Sequence, residues 1–227
     1  MRTFSFPGRY CDDLGEETIV WRIEESRRRQ PPHVGPGYEV HTSIRGVPCW
    51  SYDFDSMEPV DVSHADRHRL SLSDTSGELT DCVLGGELPC SADTATGAIA
   101  VGINFELDLR RAALADARSP HNLSLFAALD GQVYRVDDDW FEGGLIRLDS
   151  LLPSPTRLRA CITCLYSDYS PAGHGLTGMA CHRDAKDQYL AVRSKADYWS
   201  VPITEEVIET YLCSEYRRRV PGTGYRG

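Results

Sequence analysis

The sequence predicts a mostly β protein, a β-sandwich or a related two-layer antiparallel β fold with one or two short helices. Three observations predict it. Short runs rich in β-branched and aromatic residues recur along the 227 residues, separated by turns that carry glycine or proline. One run, TGAIAVGINFELDLR, alternates strictly, with Ile99, Val101, Ile103, Phe105, Leu107 and Leu109 on one face and Asn104, Glu106 and Asp108 on the other. That alternation is the mark of a half-solvated antiparallel strand. Stretches with a helical period are few and short.

Taken in order, residues 18–24 (TIVWRIE) read as the first strand and SRRRQPPHVGPG as an exposed loop. Residues 38–54 predict a hairpin turning at Arg45-Gly46-Val47-Pro48. HRLSLSD, near residue 70, and ELTDCVLGGEL suggest two more strands, the second ended by Gly85-Gly86. Alanine-rich RRAALADARSP predicts a short helix from residue 110, closed by Ser119-Pro120. NLSLFAALDGQVYRV is a hairpin pattern around Asp130-Gly131. Trp140, Phe141, Leu145, Leu148 and Leu152 are spaced for a helix under the sheet, although Gly143-Gly144 weakens it. Asp137 to Asp139 lack the spacing and glycine of a calcium loop and read as helix N-terminal charge or a solvated turn. TRLRACITCLY begins a strand, and VIETYLCSEY near the end begins another. The expected organisation is one domain over residues 1–227, with a sub-boundary near 153–156 as the alternative.

Composition narrows the partners. With 34 acidic and 24 basic residues the formal net charge is -10, a field that repels nucleic acid and anionic membranes and suits a basic protein or peptide. No apolar run reaches membrane-spanning length, and the N-terminus lacks a signal-peptide pattern, so the expected compartment is the cytoplasm. There, eight cysteines are reduced thiols or metal ligands.

Cys161, Cys164, Cys181 and Cys213 form a Cys-x2-Cys pair followed by two single cysteines, a set that matches the four thiolates of a structural zinc ion. The competing expectation is a strand. Ile162 and Thr163 are β-branched, and an extended chain would send Cys161 and Cys164 to opposite faces, leaving Cys164 as a small core hydrophobe. Cys11, Cys49, Cys82 and Cys90 show no chelating pair and read as buried single thiols.

The string Cys161-x2-Cys164, Ser167-Asp168-Tyr169-Ser170-Pro171, Gly173, Gly178, Cys181, Lys186, Tyr189, Lys195, Glu209-Thr210, Cys213 and Gly224-Tyr225-Arg226-Gly227 resembles an uncharacterised bacterial family, a domain of unknown function. The resemblance rests on the C-terminal third. It implies that the cysteines, the polar loop and the tail form one structural unit, and it implies no substrate.

Physically, Ser167 to Pro171 is a turn and PAGHGLTG a loop tolerant of positive φ. One expectation is an ordered loop covering an end of the sheet; the other is a binding site presenting Asp168, Tyr169, His174 and Tyr189, with Arg226 reaching back to a carboxylate. A serine-nucleophile elbow, His-Glu-x2-His, a phosphate-binding loop and a dinucleotide fingerprint are missing, so no catalytic residue is assigned. Two functional classes follow. The first is a non-enzymatic cytoplasmic interaction protein, of immunity or antitoxin type or an accessory subunit, with a patterned C-terminal surface. The second is an enzyme or enzyme accessory subunit whose pocket is lined by residues 161–189. Structural zinc is compatible with both.

Overall fold

The computed structural model describes residues 3–26, 37–61, 68–110, 122–169 and 176–223. The Arg27–Arg29 loop, His64 and the helix expected from residue 110 lie outside them, apart from Arg110 itself. The protein is mostly β and antiparallel, with few short helices.

In chain order the first strands are β1 (Thr3–Asp12), β2 (Gly15–Glu25), β3 (Tyr38–Ile44), β4 (Val47–Ser51) and β5 (Glu58–Pro59). There follow β6 (Val83–Thr94), β7 (Gly97–Asp108), β8 (Asn122–Leu129), β9 (Gln132–Asp138) and helix α1 (Phe141–Leu151). The C-terminal part holds β10 (Arg157–Leu158), β11 (Ser167–Tyr169), β12 (Met179–Cys181), α2 (Lys186–Leu190), α3 (Lys195–Ser200) and β13 (Glu205–Val207). The large sheet runs β5-β4-β3-β2-β1-β6-β7-β8-β9, with β10 added to β6, and a small sheet runs β11-β12-β13. Among the described residues no helix is long and apolar enough to cross a membrane.

One continuous core fills the inner face of the large sheet. Trp21 of β2 and Phe105 of β7 stand three strand spacings apart, yet each has its ring centroid 4.9 Å from that of Phe54. The sheet therefore curls around Phe54, and Phe141 of α1 closes the cluster 5.4 Å from Phe105. The Trp21 indole lies over Gly8 of β1 and its cross-strand partner Gly86 of β6, where a Cβ on Gly8 would come within 2.1 Å of its Nε1. The indole N–H donates to the Gly85 carbonyl at 2.8 Å. Gly85-Gly86 consequently lies inside β6 rather than ending it. Gly143-Gly144 has the same logic: a Cβ on Gly144 would meet Leu125 at 2.6 Å, so the pair lets α1 approach β8 closely. Asp138 starts that helix by accepting from the amides of Asp139 and Trp140 at 2.8 and 3.2 Å.

The sheet splits in two places. β1 pairs with β6 only through Gly8–Cys11, and beyond that point β10 takes over the same edge of β6 at Ala92 and Asp93. The C-terminal part enters this split: Phe4 packs on Tyr38 and Tyr211, and the Tyr38 hydroxyl donates to the Glu206 carbonyl at 2.9 Å. The second split separates β2 from β3. Their pairing covers only Arg22–Glu25 against Tyr38–His41, so the backbone of residues 15–21 has no strand partner on its β3 side.

Several expectations change. Residues 3–12 form a full strand that polar Arg9 and Asp12 concealed. HRLSLSD gives only an isolated bridge between Leu72 and Leu79. The expected terminal strand is confined to Glu205–Val207, because the amides and carbonyls of residues 209–211 bond to other loops.

Candidate functional site

The segment from Cys161 contradicts the expected strand. Residues 161–163 form a 3-10 turn, with the Cys164 amide donating to the Cys161 carbonyl at 3.0 Å. Thr163 explains it: its hydroxyl lies 2.9 Å from the Leu158 carbonyl, 3.1 Å from the Ala160 carbonyl and 3.0 Å from the Tyr216 hydroxyl. A threonine that bonds back to its own backbone offers the chain an alternative to a strand ladder. The tail satisfies the turn's free amides, since Tyr211 and Glu209 carbonyls accept from Cys161 and Ile162 at 2.7 and 2.9 Å.

Asp168, Tyr169 and Tyr189 are inside, with 2%, 5% and 0% exposure, rather than presented on a surface. Asp168 accepts from the Tyr169 amide at 2.8 Å and from the Tyr189 hydroxyl at 2.9 Å. Burial, and next the Asp168 charge, pushes the Tyr189 phenol up to about 12. Arg219 approaches the same hydroxyl at 3.4 Å and also donates to the carbonyls of Cys164 and Ser167. His182 stacks on Tyr189 at 4.8 Å and 7° and sits between the Pro202 carbonyl (2.9 Å from Nδ1) and the Tyr198 hydroxyl (3.2 Å from Nε2). A ring nitrogen facing a carbonyl must carry the proton, so Nδ1 donates to Pro202, and in the neutral ring Nε2 accepts from Tyr198. Burial lowers its pKa in the same sense. The arrangement is a closed polar network that rigidifies the lobe. His174 and Arg226, with Ser170, Pro171 and Gly173, lie outside the described residues.

Backbone contacts gather the segments that carry the four C-terminal cysteines. Cys161 and Cys164 bracket the turn, Cys181 pairs with Ser167 across β11 and β12, and Cys213 lies between the clamps of the tail on that turn. Burial raises the Cys161 thiol, and the neighbouring sulfurs of Cys164, Cys181 and Cys213 push the same way. All four are free thiols, and among the described residues no group of three His, Cys, Asp or Glu side chains is placed to hold a metal ion.

Several concave features lie elsewhere among the described residues, one of about 450 Å³ beside Leu72, Leu79 and Leu109 included. A groove of about 700 Å³ covers the outer face at the split between β2 and β3, lined among others by Thr18, Val20, Arg22, His41, Ser43 and Pro48. Val20 and Val60 expose more than half their surface there. Glu17 and Glu24 add carboxylates, and the lining Arg22 is already paired with Glu24 at 2.6 Å. The sequence reading passed over this site, although the alternation of Thr18, Val20 and Arg22 against Ile19, Trp21 and Ile23 marks an outer face with an uncovered valine. Another cavity, of about 390 Å³, is bordered by Ile146, Asp149, Ile162, Thr163, Arg218 and Arg219.

Residues 4–167 match the model of a family of unknown function, DUF6304. The chain belongs to DUF6304. The DUF6304 match spans the large sheet, α1 and the Cys161–Cys164 turn and ends at Ser167, so Cys181, Cys213 and the terminal motifs of the sequence pattern follow it. No curated protein and no solved structure matches the chain.

Proposed function

We propose that this DUF6304 protein is a non-enzymatic cytoplasmic interaction protein that receives an extended, basic segment of a partner protein on the outer face of its sheet. The observation that carries this reading is the split between β2 and β3. It combines a stretch of β2, residues 15–21, that has no ladder partner on its β3 side, although the Gly15 and Val20 carbonyls accept from the side chains of Arg45 and Thr42, with a groove of about 700 Å³ and exposed valines. Such a place suits β-strand addition, in which main-chain bonds give affinity and alternate side chains give specificity. Charge supplies the sign: carboxylates line the groove and the whole chain carries -10. The C-terminal lobe is framework in this reading, because Asp168 and Tyr189 are closed into a buried network and Tyr169 is buried beside them.

The enzyme reading has less support. Of the segment 161–189, only Ile162 and Thr163 border the cavity of about 390 Å³, and neither titrates.

The test is fluorescence anisotropy with labelled ten-residue peptides that alternate valine with lysine or valine with glutamate. The lysine peptide should bind and weaken as salt rises, since surface charges are screened beyond about 8 Å at physiological ionic strength. Placing arginine at both Val20 and Ser43 should weaken it about tenfold or more, or about 1.4 kcal/mol. Equal binding of both peptides, or indifference to the groove substitutions, would overturn the reading.

A further inference from the structure

We propose that Cys161, Cys164, Cys181 and Cys213 hold one zinc ion through four thiolates and thereby pin the C-terminal tail to the turn at the head of the lobe. The inference stands independently of the peptide groove.

Geometry carries it. A Cys-x2-Cys pair can chelate one ion only if the two intervening residues turn the chain, and residues 161–163 do so. Three backbone contacts then fix the other cysteines around that turn. Ser167, three residues after Cys164, faces Cys181 in the small sheet. The Tyr211 carbonyl accepts from the Cys161 amide at 2.7 Å, and the Arg217 carbonyl accepts from the Leu165 amide at 2.7 Å. Between those two clamps the tail makes one bend, closed by the Tyr216 amide on the Cys213 carbonyl at 3.3 Å, and Cys213 begins it. In this structure no three of these sulfurs are placed to share an ion, so binding would have to draw them together.

The surroundings suit thiolates. The Tyr166 amide lies 3.5 Å from Cys164 Sγ, and the Arg183 guanidinium lies 3.6 Å from Cys181 Sγ. Donors aimed at sulfur favour the charged form, and such outer contacts orient metal ligands. Four thiolates around Zn²⁺ leave two negative charges, and Arg183 beside Cys181, already ion-paired with Glu205, offsets them only in part.

There is also a structural need. Each strand of the small sheet has three residues and α2 has five, lengths that require support from elsewhere. A four-thiolate zinc centre supplies folding energy to small units of this kind.

The test is elemental analysis of the untagged full chain purified without chelator, alongside Cys161→Ser, Cys181→Ser and the control Cys49→Ala. Wild type and the control should carry one zinc per chain, and the two serine variants should lose it. Should those variants fail to fold, wild type alone decides. Titration with a mercurial should release the zinc as four thiols react, and cobalt exchanged into the site should show the visible absorption of tetrahedral thiolate coordination. Wild-type protein without stoichiometric zinc, whose melting is the same with and without added zinc, would overturn the proposal, as would zinc retained by a folded Cys181→Ser.

Discussion

Trp21 rests in a bay kept open by the absence of side chains at Gly8 and Gly86, and its indole N–H reaches across a strand to the Gly85 carbonyl. A methyl group at Gly8 occupies the indole's position, so Gly8→Ala has to displace the ring. Overpacking costs about 1–3 kcal/mol and the lost hydrogen bond about 1 kcal/mol more. A urea denaturation midpoint unchanged in Gly8→Ala would contradict this. Asp53 makes a prediction about pH. Burial, and next the charge of Asp55, raises its carboxyl to about 7, against the Phe54 amide, which donates to the charged form. A carboxyl raised in the folded state binds its proton more tightly there than in the unfolded chain. Its contribution is therefore fully present at low pH, falls as pH rises from its ordinary 3.8 towards 7, and is gone above that. Between about pH 5 and about pH 8 the wild type should lose more of its Tm than Asp53→Asn, whose amide keeps the bond to Phe54. Parallel Tm curves would refute it.

Helix α1 shows how elements are held. Leu148 is fully buried on its inner face, and Asp149, one residue on, accepts from the Leu158 amide at 2.6 Å and pairs with Arg218 of the tail. Leu148→Ala should cost about 2–5 kcal/mol in chemical denaturation, and a cost below about 1 kcal/mol would show that the helix is not part of the core. Elements of this kind were legible in the sequence because their signal is local. The period of two in residues 99–107, Asp130-Gly131 between two apolar runs, and the spacing of Phe141, Leu145 and Leu148 each carry their own evidence. The C-terminal elements were not, for a physical reason. Ile162-Thr163 has strand propensity, but the Thr163 hydroxyl and the carbonyls of Glu209, Tyr211 and Arg217 recruit that backbone instead. Propensity sees neighbours in sequence, and these partners lie about fifty residues away. The cysteine spacing was readable for the same segment, yet the turn that gives it meaning was not.

At the scale of the molecule, the curled sheet is opened twice and the two openings have different fates. The split beyond Gly8 and Gly86 is occupied by β10 and the C-terminal lobe, which the Phe4, Tyr38 and Tyr211 rings and the bond from Tyr38 to Glu206 lock in place. The split between β2 and β3 leaves a groove on the outer face, bridged at one point by the Thr42 hydroxyl on the Val20 carbonyl at 3.0 Å. In the proposed reading, a net charge of -10 would draw a basic partner towards the molecule, and the groove would offer it strand backbone and apolar side chains. The division of labour, with the lobe as framework and the open split as binding face, is tested most directly by residue-resolved NMR during titration with the alternating valine-lysine peptide. Amide shifts concentrated at Thr18, Val20, Arg22, His41 and Ser43, with residues 161–169 and 179–189 unmoved, are the predicted result. Shifts centred on residues 161–189 with a silent β2 and β3 would contradict it.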